Sequence, residues 1–264
     1  MKRETYSVVI PAYNAEKTIG ECLASILEQT FAPLEVIVVD DCSVDSTETA
    51  VLLYEGRFVA ADIRFKYIRL DQNSGPSFAR NKGIRESKGS FIAFLDADDT
   101  WVNNKLEVVN RFANESTVGL ICHSYTESIP IPSDNGDWVY EPDVMSIYQL
   151  LLRNPAQTSC VVVRNQFAVA FDETMGLCED YDLWMRIAEN YPVLRLVGKP
   201  LTCLGRPQLS AGGLSGNRLS MRVGEFRVYY NFCRRNYLLR MWLLPNLLLF
   251  SVLKHVYSYV RRCG

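Results

Sequence analysis

Phe91-Ile92-Ala93-Phe94-Leu95-Asp96-Ala97-Asp98-Asp99 carries an apolar run straight into three carboxylates. A short run of β-branched and aromatic residues that ends in polar turn chemistry reads as a buried strand. The acids then lie at the carboxyl end of that strand, the edge where open α/β sheets bind ligands. Three carboxylates so close together repel one another unless positive charge sits among them. A divalent cation with oxygen ligands suits that position. The stretch therefore points to metal-assisted chemistry on a phosphate-bearing substrate.

Upstream, the chain repeats the pattern. Tyr6–Pro11 reads as a first buried strand. Residues 15–30 follow with Ile19, Cys22, Leu23, Ile26 and Leu27 at helical spacing. Leu34–Val39 is a second strand, and it too ends in acids, Asp40 and Asp41. Ser43 and Asp45 offer N-cap chemistry for a helix near 45–54. Ile63–Leu70 is a third strand, Asn73-Ser74-Gly75-Pro76 is loop chemistry, and a short helix runs to about Ser87. Strands alternating with helices of this length imply βαβ units, an α/β fold and a mostly parallel central sheet flanked by helices.

Beyond Asp99, expected to cap the helix after it, the pattern loosens. Residues 103–115 read as helix, 117–123 as strand, 128–143 as a loop or hairpin and 144–153 as helix. Residues 159–164 read as strand and 179–190 as an amphipathic helix, and the Gly/Ser-rich stretch 205–217 reads as a loop. There is no internal repeat.

Bulk properties narrow the chemistry. Of 264 residues, 48% are hydrophobic and 22% charged, which suits a globular chain with a real core. None of the eight cysteines forms a C-x-x-C pair, so they read as reduced, buried thiols of a cytosolic protein. His123 and His255 are the only histidines, which disfavours Ser-His-Asp catalysis and His-based metal sites. The first residues run directly into a strand, with no signal-peptide pattern.

Charge is unevenly spread. Residues 218–264 carry nine Lys and Arg against one acid, Glu225. Within them Tyr237–Leu253 is strongly apolar but interrupted by Pro245, and its uncharged core is shorter than the roughly 20 residues of a spanning helix. Flanking arginines and interfacial Trp and Tyr residues suggest an in-plane amphipathic element attracted to anionic lipid through residues 234–264. A buried C-terminal helix is the alternative. Two units follow: 1–217, and a basic, apolar helical tail 218–264. Nucleic-acid binding is disfavoured, because the arginines flank an aliphatic run rather than a polar groove.

Three polar clusters follow three strands: Pro11-Ala12-Tyr13-Asn14, Asp40 to Asp45, and Asp96 to Asp99. A parallel sheet gathers them on one edge. Together they offer a ring to stack on a base (Tyr13), a carboxylate to accept from a base N–H (Asp41) and a metal site (Asp96, Asp98), which suits a nucleoside diphosphate. Taken singly, each is ordinary: Asp-Asp is turn chemistry and Tyr13 a packed aromatic. Neither a Walker A sequence nor G-x-G-x-x-G occurs, which excludes P-loop and dinucleotide readings.

With these clusters in order, the chain resembles the family 2 glycosyltransferases, inverting enzymes of the GT-A fold that use nucleotide-sugars. The resemblance lies in Val8–Asn14, Val38–Thr47, Asn73–Pro76 leading to Ala79-Arg80-Asn81-Lys82-Gly83-Ile84, Phe94–Asp99, and Glu179-Asp180-Tyr181-Asp182-Leu183-Trp184-Met185-Arg186. It implies that Pro11 and Tyr13 line a base pocket, that Asp41 contacts the base, and that Asp96, with Ala97 beside it, sits near the ribose. Asp98 would ligate Mn²⁺ or Mg²⁺. Arg80 would support the donor pocket or pair with nearby carboxylates. Asp180 would be the general base and Glu179 would position the acceptor, although acids also simply favour a helix N-terminus. Arg206, beside the Gly/Ser-rich loop, would approach the diphosphate.

The resemblance and the tail together imply transfer from a UDP-sugar to a lipid-diphosphate-linked sugar, in O-antigen, capsule or exopolysaccharide assembly. The enzyme would act peripherally at the cytoplasmic face of the inner membrane. The alternatives are a catalytically inactive nucleotide-sugar-binding membrane scaffold and a nucleotidyltransferase. A glycoside hydrolase would not need acid clusters after two separate strands.

Overall fold

The computed structural model describes residues 4–113, 117–127, 139–154, 156–166, 169–206, 218–235, 243 and 245–251. Its centre is an eight-stranded sheet in the order β3-β2-β1-β4-β9-β6-β10-β8. The strands are β1 (Tyr6–Ala12), β2 (Glu35–Asp40), β3 (Arg64–Arg69), β4 (Phe91–Phe94), β6 (Leu120–His123), β8 (Glu141–Met145), β9 (Val161–Arg164) and β10 (Val193–Val197). β1, β2 and β4 are buried almost throughout, as parallel strands covered on both faces must be. β3 forms the edge and exposes charged side chains, which discourages further strand pairing.

β1 pairs parallel with β2 and β4, so their carboxyl ends open on one side. Beyond β4 the sheet changes character. β9 runs antiparallel to both β4 and β6, and β8, with Pro142, is antiparallel to β10. Pro is tolerated there because β8 is an edge strand.

Alternation along β1 divides the core. Tyr6, Val8 and Ile10 face Leu23 and Ile26 of α1 (Ile19–Leu27), together with Leu106 and Val109 of α5 (Lys105–Ala113). Val9, Ile92 and Phe94 face the other layer. That layer includes Ile84 of α4 (Pro76–Glu86), Leu150 and Leu151 of α6 (Ile147–Leu152), Trp184 of α7 (Glu179–Ala188), and Val228 and Phe232 of α8 (Arg218–Arg235). The result is a three-layer α/β fold.

A second, three-stranded sheet joins β5 (Thr100–Trp101), β11 (Thr202–Cys203) and β7 (Tyr125–Thr126) in the order β5-β11-β7. It brings residues 205–206 past the Asp98–Asp99 turn.

Several sequence expectations are corrected. The helix expected over 45–54 is two short helices, α2 (Thr47–Leu52) and α3 (Glu55–Ala60). Val144 and Met145 belong to β8, and a capping box of Ser146 and Gln149 starts α6 after them. Asp99 caps no helix: α5 begins at Lys105, and the Asp99 carboxylate is engaged elsewhere. Ser43 does not cap α2 but accepts from the Asn14 N–H, while Asp45 takes the Thr47 N–H. Among the described residues no helix is long and apolar enough to cross a membrane. Of the C-terminal apolar stretch, 245–251 are helical, and Leu247 and Leu243 pack on the second core layer. Residues 207–217 and most of 236–264 lie outside the described residues.

Candidate active site

The β1 and β2 ends are stitched together before any ligand arrives. The Asp41 N–H donates to the Ala12 carbonyl, and the Asn14 and Ala15 N–H groups donate to Ser43 Oγ and Thr47 Oγ1. Asn14 and Cys42 take positive φ of 49° and 63°, turning the chain sharply after each strand. Asp40 is fully buried and accepts from the Ser43 N–H and the Tyr67 hydroxyl. Asp41 accepts the Ser74 and Gly75 N–H groups at 2.7 Å each, one on each oxygen. Its carboxylate is thereby held rigid at the start of α4, with a further lone pair on each oxygen. Tyr13 stands 51% exposed beside this edge, and Pro11 is partly exposed in β1.

The acids after β4 have separate surroundings. Asp96 receives Arg80 Nη2 on Oδ1 at 2.8 Å, and its own N–H donates to Ser159 Oγ. The Ala97 methyl packs into the first core layer. Asp98 is paired with Arg206 Nε at 3.0 Å, and this arginine is more than half exposed. Burial and the neighbouring Asp96 charge push the Asp98 carboxyl up, against the pull of Arg206. Asp99 accepts from Ser159 Oγ and from the Gly205 N–H. Burial, then Asp96, push it up to about 7. Gly205 is required here, because a Cβ would collide with the Asp98 carbonyl oxygen.

Arg80 links this edge to α7. It is 6% exposed and also donates through Nη1 to Glu179 Oε1 at 3.2 Å. Its carbon lies 5.4 Å above the Phe171 ring. Burial works against the guanidinium's charge, but Asp96 and Glu179 outweigh it and hold the group above its ordinary value. Next along the chain, Asp180 accepts from the Tyr181 N–H at 2.6 Å and from Asn154 Nδ2 at 3.4 Å. Burial first, and Glu179 second, push its carboxyl up to about 6. Such a group is ionised at neutral pH yet a better proton acceptor than an ordinary aspartate.

The fold thus brings Asp96, Arg80 and Glu179 into one chain of contacts, with Asp180 next to Glu179 at the start of α7 and Asp98 and Arg206 beside Asp96. Tyr13, Pro11 and Asp41 form the other end of the same sheet edge. Among the described residues, no three His, Cys, Asp or Glu side chains are grouped to enclose a metal ion.

Sequence reasoning missed the supports. Ser159 holds both Asp96 and Asp99, and its carbonyl accepts from Trp101 Nε1, Lys105 Nζ and Thr202 Oγ1. Lys105 is fully buried against the Trp101 ring, and burial holds its amine well below the usual lysine value. Asn81 clamps Phe171 by exchanging bonds with both its backbone N–H and its carbonyl. Asn81 lies within the Ala79–Ile84 motif and so carried a signal. Ser159 carried no signal beyond opening a strand.

Comparison with known proteins gives the chain its family and its fold. The model of the family described as "Glycosyl transferase family 2" matches residues 7–172. The chain is 31% identical over 258 residues, 96% of each chain, to the UDP-Glc:alpha-D-GlcNAc-diphosphoundecaprenol beta-1,3-glucosyltransferase WfgD of Escherichia coli. It is 27% identical to the putative teichuronic acid biosynthesis glycosyltransferase TuaG of Bacillus subtilis, covering 89% of this chain and 91% of that one. Among solved structures, S. aureus TarS 1-349 in complex with UDP-GlcNAc superposes with a TM-score of 0.68 at 22% identity, over 87% of this chain and 66% of that one. The mannosyltransferase PcManGT of Pyrobaculum calidifontis, in complex with GDP-Man and Mn²⁺, gives 0.67 at 18% identity, over 98% and 76%. At these identities the two structures speak for the fold.

Proposed function

We propose, from the premise that this chain belongs to glycosyl transferase family 2, that it is an inverting enzyme moving a sugar from a UDP-sugar to a hydroxyl of a lipid-diphosphate-linked sugar. The reading is carried by the Arg80 bridge. One buried guanidinium joins Asp96, at the carboxyl end of the sheet, to Glu179, whose neighbour Asp180 has the raised proton affinity of a base. Support for the acceptor class comes from the likeness, over 96% of each chain, to a relative named for an undecaprenol-diphosphate substrate.

In this proposal the nucleotide base stacks on Tyr13 beside Pro11 and reaches the spare lone pairs of Asp41. The ribose lies near Asp96 and Ala97. Asp180 takes the proton of the attacking hydroxyl, which is too weak a nucleophile otherwise. Attack is in line at the anomeric carbon, so an α-linked donor yields a β-linked product. Glu179, fixed by Arg80, orients the acceptor. Arg206, exposed and paired with Asp98 among the described residues, turns toward the diphosphate as negative charge develops there.

Mn²⁺ or Mg²⁺ fits the Asp98 side of this edge. Asp98 and Asp96 face the open end with more negative charge than Arg80 and Arg206 neutralise locally, since Arg80 is shared with Glu179. Two carboxylates suffice for a cation whose remaining ligands are phosphate oxygens and water. Bound there, it would stabilise the charge of the departing diphosphate as a Lewis acid.

The test is release of UDP from UDP-sugars with and without a polyprenyl-diphosphate-GlcNAc acceptor. The proposal expects acceptor-dependent release that Asp180→Asn abolishes while donor binding persists. Release indifferent to both acceptor and Asp180 would overturn it. No release with any donor would favour an inactive scaffold, and pyrophosphate release from a nucleoside triphosphate a nucleotidyltransferase.

A further inference from the structure

α8 has one face turned into the protein and another turned out. Gly224, Glu225, Val228, Tyr229, Phe232 and Cys233 are buried. Glu225 is the only acid on the helix. It is consumed on the inner side by Arg222, Tyr229 and Ser251. The outer face repeats at three- and four-residue steps, the spacing of one helical stripe. Leu219 is 70% exposed, Val223 61% and Tyr230 44%, with Phe226 partly exposed between them. Arg227 and Arg234 flank this stripe and are exposed.

Large apolar and aromatic side chains flanked by arginines, with no acid among them, are ill suited to bulk water. They match the boundary between acyl chains and anionic headgroups. Arg234 also lines a cavity of about 550 Å³ with Arg186 and Arg235. In that cavity Arg186 is held by Asp182, and Arg235 by Glu189 and Asp182. Asp172, which also lines the cavity, lies near Arg227 and Arg186.

The helix is also tied to the chemistry. A Cβ at Gly224 would meet the Leu177 carbonyl oxygen at 2.8 Å and Cys178 Sγ at 3.0 Å. Cys178, in the left-handed conformation at φ 60°, is the residue that starts α7 and sets Glu179 and Asp180. α8 therefore packs directly behind the turn that carries the proposed base.

We infer that the outer face of α8 is a docking surface for an anionic lipid bilayer, lying upstream of the apolar tail. Docked in this way, the helix places the Glu179–Asp180 turn about one helix diameter, ~10 Å, from the headgroups. A lipid-anchored diphosphate acceptor would then meet the base without leaving the membrane. This names the surface by which the proposed peripheral enzyme meets its acceptor, and it stands on α8 whatever sugar is moved.

Flotation of the full-length protein with vesicles tests it. The vesicles are phosphatidylcholine alone, or with one third phosphatidylglycerol, at low and high salt. Wild type should bind the anionic vesicles, weaken with salt, and ignore the neutral ones. Arg234→Gln should weaken binding about fivefold, and Val223→Glu more than tenfold. Both variants should retain the wild-type rate on a short-chain, water-soluble acceptor while losing rate on a vesicle-embedded one. That pair of assays separates failure of the surface from failure of the enzyme assignment. Unchanged vesicle binding in both variants would overturn the inference. So would a wild-type dimer that Val223→Glu converts to monomer without any vesicle binding, since the face would then belong to a second copy.

Discussion

Replacing Asp180 with Asn should stabilise the protein while removing its activity, and only above a definite pH. The Asp180 carboxyl is pushed from 3.8 to about 6, mostly by burial. Each pKa unit corresponds to about 1.4 kcal/mol, so ionised Asp180 costs the fold about 3 kcal/mol. Solvent that reaches the carboxylate reduces this, as does the poor match of an Asn amide to Asn154 Nδ2. The Asn oxygen keeps the Tyr181 N–H bond. A net gain of about 1–2 kcal/mol remains, or about 3–6 °C in Tm for a chain of this size. A raised carboxyl pKa favours the folded state fully below the unfolded value of 3.8, and that advantage is lost as pH rises through about 6. The gain from Asn should therefore be absent near pH 4 and complete by pH 7. Thermal melts of both proteins from pH 4 to 8 measure the difference. A Tm difference that does not change with pH, or that falls toward pH 8, would refute the reasoning. Transfer should fall 10²–10⁴-fold with donor affinity nearly intact, the range expected for a lost general base.

In the wild type, kcat/KM should fall tenfold per pH unit below about 6, and initial rates across pH 5–8 would show that limb. Arg80→Met leaves Asp96 and Glu179 without their shared cation and should cost about 3 kcal/mol in denaturant titrations. Arg80→Lys should recover part of that stability but not kcat, because an ammonium cannot fork to both acids. Gly205→Ala drives the strand end away from Asp98, so about 1–3 kcal/mol of stability should be lost and donor KM should rise. Asp98→Ala should abolish the Mn²⁺-dependent part of UDP-sugar binding in calorimetry; full activity in excess chelator would contradict a metal at Asp98.

The sheet edge was legible because parallel central strands are apolar on both faces, so Asp41, Asp96 and Asp98 each follow an unbroken buried run. The helix that begins at Glu179 was legible from its amphipathic spacing. What lay beyond reach was contact across long separations. Arg80 meets Glu179 across 99 positions, and no local period encodes that. Arg206 reaches Asp98 because of a sheet of two-residue strands, too short to show alternation. β9 reads as an ordinary buried strand whichever way it runs, so its antiparallel pairing was hidden. Lys105 would be placed on a solvated helix face by its charge. The Trp101 ring and the Ser159 carbonyl account for its burial among the described residues. Asp99 resembled a cap because turn acids commonly are, but the helix it would have capped starts six residues later.

The anomeric configuration of the product tests the central claim most directly. With an α-linked UDP-sugar and a lipid-diphosphate-sugar acceptor, a single displacement assisted by Asp180 gives a β-linkage, read from the one-bond C–H coupling of the new anomeric carbon by NMR. An α-linkage would contradict both the in-line attack and the assignment of Asp180 as its base.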